Sequence, residues 1–491
     1  MRALAALALL LGAAQEAKRP NVLLVYTDDQ SWRTLSCYEG AWPWVRTPNI
    51  DRLAAEGVRF TTAYGAAWCA PSRASLLTGL LPHGIRGLDT PRVVGGGSYD
   101  PAACRFWPAE LRKAGYHTAM VGKWHVGQDH GHGRDWDASW VWNQGDIVGD
   151  WYNGQPMSLD GGPKETVPGY STDNYTRYAV DYVKRDKGGK PWLLWLCYNA
   201  PHLPNTFHPR HAETYAGAEV PVPADMFGPR EGKPAYLRNY SVWKKEEGGP
   251  TYNDWYEKKR VPLDRLVREY NRLVSAVDEG IGKVLAALEE SGQAGSTIVI
   301  FTSDQGFAWG EKGFAWKVGP YEACMRMPLL VRWPSVARAG AVCREPAAVY
   351  DLAPTILAAA GAKAPWEMHG RDLRPLLERP ETRWDRPLLL EHFFKSFGPQ
   401  TDGALTGKNA LGGIPWWIFL RQGRHKYIRT LVEDEIEELY DLEADPDESR
   451  NLALDPSFRE TLARHRESFL AELRRTNAGL VGNLPKPRTA E

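Results

Sequence analysis

The chain has 491 residues, 43% of them hydrophobic and 24% charged, the profile of a globular protein long enough for one large domain and a smaller one. Lys plus Arg and Asp plus Glu both number 60, so the net charge is zero and the basic excess of a nucleic-acid-binding protein is absent. A local basic patch for an anionic ligand is not excluded by that balance.

Met1-Arg2 is followed by an apolar run from Ala3 to Ala14 and then by polar Gln15-Glu16. One positive charge, a short apolar core and the small residues Gly12-Ala13-Ala14 predict a cleaved signal peptide over 1–14 and a secreted or periplasmic protein. Twelve apolar residues are too few to span a bilayer, which takes about 20, and no later run is longer, so no transmembrane segment is expected.

The first predicted strand is Val22–Tyr26, ending at Asp28-Asp29. Pro48–Glu56 reads as a helix stopped by Gly57, and Val58–Tyr64 as a strand. Ser72–Leu81 reads as a helix with Pro71 in its first turn, and Pro108–Ala114 as a short helix before the strand His117–Val121. Pro191–Leu196 is an apolar strand ending near His202. Asp264–Glu290 is the longest helical pattern, and Thr297–Phe301 a strand ending at Asp304-Gln305. Alternating strands and helices predict an α/β fold, a mostly parallel central sheet flanked by helices, over 20–379. From about 380 to 480, alternating segments and the helix Phe458–Leu473 predict a smaller C-terminal α+β subdomain with an antiparallel sheet. Two stretches, Gln128–Thr172 and Val220–Pro262, read as long irregular loops rich in Gly, Pro, Trp and Tyr.

Ligands of open α/β sheets lie beyond the carboxyl ends of the strands. Asp28, Asp29, His202 and Asp304 all follow apolar strand runs, a functional signal independent of any motif. Carboxylates at Asp28, Asp29 and Asp304, with Gln305 beside them, suit a hard cation, Ca²⁺ or Mg²⁺, better than zinc. The cysteines, Cys37, Cys69, Cys104, Cys197, Cys324 and Cys343, show no C-x-x-C spacing, which argues against zinc or thioredoxin-type chemistry. An exported chain can form disulfides; with Cys69 reserved for chemistry, five remain and one has no partner within the chain.

Cys69-Ala70-Pro71-Ser72-Arg73, continuing to Leu76-Leu77-Thr78-Gly79, resembles the signature of the type I sulfatases, of the alkaline-phosphatase-like superfamily. The resemblance runs from Pro20 to about Leu473. It takes in Gly122-Lys123-Trp124-His125, Pro201-His202-Leu203-Pro204, Lys317 with Tyr321-Glu322, and a C-terminal block around Glu438–Leu442. It implies that a maturation enzyme oxidises Cys69 to formylglycine, that one metal ion, Ca²⁺ before Mg²⁺, is held by Asp28, Asp29, residue 69, Asp304 and Gln305, and that the substrate is a sulfated small molecule or polysaccharide. The hydrate of the aldehyde carries two hydroxyls, one to attack sulfur and one to expel sulfate, so one hard step becomes two easier ones. Arg73 and Lys123 are then expected to bind the hydrate or sulfate, with Lys317 as a second sulfate clamp. His125 is expected to take the proton of the second hydroxyl, and His202 to protonate the leaving alcohol. Gln305 stands where His or Asn is usual in the family. Two further readings share the fold: a phosphonate monoester or phosphodiester hydrolase, and a catalytically dead binding protein.

The aromatic clusters of the two irregular stretches suggest a carbohydrate sulfate as substrate, since rigid amphipathic rings suit sugar faces. They are Trp136, Trp140, Trp142, Trp151 and Tyr152 in one, and Tyr236, Tyr240, Trp243, Tyr252, Trp255 and Tyr256 in the other. Lys244, Lys245 and Arg260 lie nearby for additional anionic groups. The plainer reading is that the rings pin the loops to the core.

Overall fold

A computed structural model of the chain describes residues 19–89, 98–143, 150–403 and 412–488. The expected signal peptide over 1–14 lies outside them. The strands of the large sheet are β1 (Asn21–Thr27), β2 (Val58–Tyr64), β3 (His117–Lys123), β4 (Ala138–Trp142), β5 (Asn153–Leu159), β6 (Lys164–Tyr170), β7 (Trp192–Cys197), β8 (Thr297–Ser303), β9 (Arg326–Arg332) and β10 (Ala341–Cys343), in the order β10-β2-β9-β8-β1-β7-β3-β4-β5-β6. The middle is parallel: Leu24 pairs with Ile300 on one side and Trp195 on the other. β9 runs antiparallel to both β8 and β2, and two such reversals return β2 to the direction of β1. The strand ends of β1, β2, β3, β7 and β8 therefore open on one edge.

These central strands are continuous apolar runs because both faces are covered. Leu23, Val25, Leu194 and Val299 face the cluster formed with helices α1 (Pro48–Glu56), α4 (Ser171–Lys184) and α5 (Leu263–Glu290). Val22, Leu24, Trp195 and Ile300 point the other way, onto α2 (Cys69–Thr78), α3 (Pro108–Lys113) and α6 (Leu352–Ala359). A separate antiparallel sheet of Leu388–His392, Trp417–Gln422, His425–Thr430 and Glu438–Asp441 packs with the helix Arg459–Arg475.

Several elements differ from expectation. The helix placed at Ser72–Leu81 runs from Cys69 to Thr78; Ser72 N–H bonds Trp68 O at 3.2 Å, and Pro71 does no harm in a first turn where N–H groups lack helical partners. Gly79, at φ 71°, closes it by donating to Ser75 O. The irregular stretch Gln128–Thr172 contains β4, β5 and β6, and Val220–Pro262 contains a three-stranded sheet, Trp243–Glu246, Gly249–Asp254 and Lys259–Pro262. Their Gly and Pro content hid short strands that pair mostly antiparallel within the stretch, although β4 also adds to β3 in parallel. All six cysteines are free thiols.

Candidate active site

Cys69 is the first residue of α2, and all ten residues of that helix are buried. Two close approaches fix the loops around it. A Cβ on Gly65 would lie 1.6 Å from Asp304 O, so only glycine lets the chain pass from β2 to α2 against the end of β8. Gly122, at φ +102°, would place a Cβ 2.0 Å from Cys197 O, between β3 and β7.

The expected residues converge on Cys69. Its Sγ lies 3.3 Å from Asp28 Oδ1, 3.8 Å from Asp29 Oδ1, 3.0 Å from Lys317 Nζ and 3.7 Å from Gln305 Nε2. Lys317 also donates to both oxygens of Asp29, at 2.6 and 2.8 Å. Lys123 donates to Asp28 Oδ2. Arg73 is fully buried; it donates to Lys123 O at 2.7 Å and to Asp304 Oδ2 at 3.2 Å, and lies 3.6 Å from Asp28 Oδ2. Asp304 Oδ1 accepts the Asp29 N–H at 2.8 Å. One ligand atom from each of Asp28, Asp29, Cys69 and His202 lies within 4.8 Å of the others.

The charges are strongly coupled. Burial raises the Asp304 carboxyl, Asp28 adds repulsion, and the pKa reaches about 8. Burial also opposes ionisation of Asp28, but Lys123, His202, Arg73 and Lys317 together hold it well below the carboxylate range. Lys317 is raised, because Asp29 and Cys69 outweigh its burial. Burial and Asp28 push the Cys69 thiol up.

The two histidines occupy different walls. His202 Nδ1 donates to Leu203 O, which leaves Nε2 facing the site, 3.6 Å from Asp29 Oδ2. Burial lowers its pKa to about 4. Its ring stacks on Trp151 with centroids 4.8 Å apart. His125 sits at φ 59°, so the chain does not run on as an extended strand from Lys123 to His125. Its ring meets Trp68 edge to face at 6.1 Å, and its buried Nδ1 has no partner. Burial and Lys123 hold it well below its usual pKa.

A cation fits the oxygen set. Asp28 and Asp29 belong to the 4.8 Å group, Gln305 contacts Asp29 Oδ1, and Asp304 joins them through the Asp29 N–H; all four offer hard oxygen donors. The buried Gln305 Oε1 has no partner while Nε2 contacts Asp29 Oδ1; exchanging the ends of this amide, which have nearly the same shape, turns an orphaned acceptor toward the carboxylates.

Sequence reasoning missed the residues that wall this site. Trp151 and Tyr256 pack with His202, Tyr270 donates to Asp29 O, and Phe394 O accepts from the Trp68 indole at 2.8 Å. Only the aromatic richness of the irregular stretches pointed to the first two. Most of those rings are core: Trp136, Trp140, Trp142, Trp151, Tyr152, Trp243 and Tyr252 are buried, whereas Trp255 is 76% exposed. The basic residues named with them are engaged locally, Arg260 with Glu246 at 3.0 Å, Lys244 with Glu246 at 3.8 Å and Lys245 over the Phe227 ring.

A parallel-centred sheet whose strand ends gather a cysteine at a helix start, three carboxylates and three cations has the arrangement of the alkaline-phosphatase-like superfamily. The sulfatase family model matches residues 20–362, and the N-sulphoglucosamine sulphohydrolase C-terminal model matches 310–476. The chain belongs to the sulfatase family and is an enzyme of sulfate-ester hydrolysis. It is 30% identical over 495 residues to an N-acetylglucosamine-6-O-sulfatase of Bacteroides thetaiotaomicron, covering 89% of this chain and 83% of the relative. It is 30% identical over 459 residues to the N-acetylgalactosamine-6-sulfatase of Homo sapiens, covering 84% and 76%. A solved structure described as in complex with its substrate D-glucosamine-2-N,6-O-disulfate matches with TM-score 0.77 at 26% identity, covering 94% of this chain and 98% of that one. Among the described residues, no helix is long and apolar enough to cross a membrane.

Proposed function

We propose that this enzyme removes sulfate from carbohydrates, with 6-O-sulfated N-acetylhexosamines as its first candidate substrates. Cys69 acts as formylglycine, a calcium ion is held by Asp28, Asp29, Asp304 and Gln305, and the chain is exported by its N-terminal segment. The observation that carries the reading is the convergence of Asp28, Asp29, Gln305 and Lys317 on the Cys69 side chain, whose Sγ stands in for an oxygen of the hydrate, with Lys123 and Arg73 held against Asp28 and Arg73 against Asp304. The names of the two relatives support the sugar.

The ion would supply Lewis-acid polarisation and offset repulsion between the anions. The chain's own groups do the rest. Residue 69 opens α2, whose N-terminus favours an anion. Arg73 keeps its charge at any working pH and, with Lys123, fixes the carboxylate of Asp28. Lys317 clamps the incoming sulfate from the opposite side. His125, neutral and with a free buried nitrogen, takes the proton of the second hydroxyl. His202, with Nδ1 committed to Leu203 O, turns Nε2 to the leaving oxygen and, once protonated beside the bound sulfate anion, delivers its proton there.

The test is sulfate release from 6-O-sulfated N-acetylglucosamine and N-acetylgalactosamine, beside an aryl sulfate, an aryl phosphate diester and a phosphonate ester. Mass analysis of the peptide around residue 69, from a host with the maturation enzyme, should show the thiol replaced by an aldehyde. Preferred turnover of the phosphorus esters, or full activity of Cys69→Ala, would sink the proposal.

A further inference from the structure

Of the 21 tryptophans, Trp255 alone is mostly exposed, at 76%. It sits at the tip between Gly249–Asp254 and Lys259–Pro262. That tip is pinned. Asp254 Oδ1 accepts the N–H groups of Tyr256 and Glu257 at 2.7 and 2.8 Å, an Asx turn that fixes the backbone after Trp255. Arg265 of α5 grips the carboxylate of Glu257 through two contacts of 3.0 and 3.1 Å. The same small sheet is fastened over the Lys317 segment: Trp243 donates its indole N–H to Phe314 O at 2.8 Å, and Tyr252 meets Trp316 edge to face at 5.5 Å.

The residue after Trp255 turns inward. The Tyr256 ring meets His202 at 6.1 Å and Trp151 at 5.3 Å, both edge to face. The hairpin therefore stands on the wall that carries the proton donor for the leaving alcohol, with one ring inside the site and the neighbouring ring in water. A large aromatic side chain exposed on a backbone already fixed beside a catalytic wall gives up less freedom when a flat apolar surface covers it.

Resting on the reading of the site as a carbohydrate sulfatase, we propose that Trp255 forms a second sugar subsite on the leaving-group side. Tyr256 borders the ring that carries the sulfate, and Trp255 stacks on the apolar face of the next ring along the chain. The preferred substrate is then a sulfated oligosaccharide rather than a sulfated monosaccharide.

The experiment is the ratio of kcat/KM for a sulfated tetrasaccharide to that for the matching sulfated monosaccharide, measured in wild type, Trp255→Ala and Trp255→Phe, each calcium-loaded and with its melting temperature checked. The expected result is a ratio above one in wild type, lowered about tenfold by Trp255→Ala, the scale of a lost aromatic contact, and partly restored by Trp255→Phe. A ratio that Trp255→Ala leaves unchanged overturns the subsite while sugar desulfation by wild type stands. Turnover of aryl sulfates with no sugar sulfate cleaved by wild type overturns the carbohydrate reading, and the subsite with it.

Discussion

Removing the cation should reveal the strain between the three carboxylates, and Asp304 is where it can be read. Burial and Asp28 raise its pKa to about 8 without a metal, against about 3.9 in the unfolded chain. A carboxyl with a raised folded pKa binds its proton more tightly in the native state. In the metal-free protein this group's contribution to stability is therefore fully present below about 3.9 and is lost as pH rises toward 8. The slope is about 1.4 kcal/mol per pH unit while one proton is in play. With an unfolding entropy of roughly 2.1 cal/mol/K per residue, 491 residues give about 1 kcal/mol/K, so the melting temperature should fall about 3 °C between pH 6 and 8. Calcium at a hundred times its Kd adds about 2.7 kcal/mol, again about 3 °C, and removes the slope by keeping the ligand ionised. Thermal melts of EDTA-treated and calcium-loaded protein across this range, for wild type and Asp304→Asn, test the account. The variant should lack both the metal-free slope and the calcium gain. A full calcium gain in Asp304→Asn would refute the assignment of Asp304 as a ligand.

The two histidines should fail differently: His125→Ala should accumulate sulfated enzyme, seen as added mass on the residue 69 peptide, and His202→Ala should lose more rate on sugar sulfates than on activated aryl sulfates. Equal losses on both substrate types would refute the division. Far from the active site, His83 is enclosed, with Nδ1 2.5 Å from Glu391 Oε1 and Nε2 3.0 Å from Thr476 O; both partners are acceptors, so both nitrogens donate and the ring is charged. Burial opposes that charge, but Glu391 overcomes it and raises the pKa. The stabilisation is thus complete below the unfolded value near 6.5 and lost as pH climbs through the raised one. His83→Gln should destabilise by about 3–5 kcal/mol near pH 6, with the gap to wild type narrowing toward pH 9; a gap that widens would contradict the charged pair.

What the sequence disclosed follows from which interactions are local. Val22–Tyr26 and Thr297–Phe301 were legible because strands covered on both faces must be apolar throughout, and the acids after them because such strands stop where polar side chains begin. The site residues come from six separate chain segments, and it was the motif around Cys69 that joined them in advance. Their contacts were not legible: Lys123 against Asp28 and Lys317 against Asp29 depend on strand order, which periodicity does not encode. The misread stretches fail for a related reason. Asn153–Leu159 and Lys164–Tyr170 hold Gly154, Pro156, Pro168 and Gly169, residues that speak against strands, yet their ladder to each other and to Ala138–Trp142 overrides local preference. The aromatic clusters misled because a ring's role depends on which side of the sheet it falls. Trp140 and Trp142 lie on a strand in the core, and only the hairpin tip leaves Trp255 in water.

The burial of Cys69 also orders events in time. Its thiol is raised well above its usual pKa by burial and by Asp28, and the residue is 2% exposed at the start of a helix with no exposed position. A maturation enzyme that oxidises this side chain has to grasp the backbone around Pro71 and Arg73, yet Arg73 is locked to Lys123 O and Asp304, and Ser72 to Asp304 O. Freeing the segment means pulling α2 out of the cluster that holds Ala74, Leu76 and Leu77, which costs most of the stability of the domain. On the proposed conversion of Cys69 to formylglycine, a thiol that is buried in the folded chain and accessible in the unfolded one implies that conversion precedes folding. Purified folded protein carrying Cys69 should resist conversion by the maturation enzyme over hours, whereas a peptide spanning residues 65–79 should be converted, with the aldehyde followed by mass in both. Rapid conversion of the folded protein would show that α2 opens locally, and the order of events argued from its burial would fail.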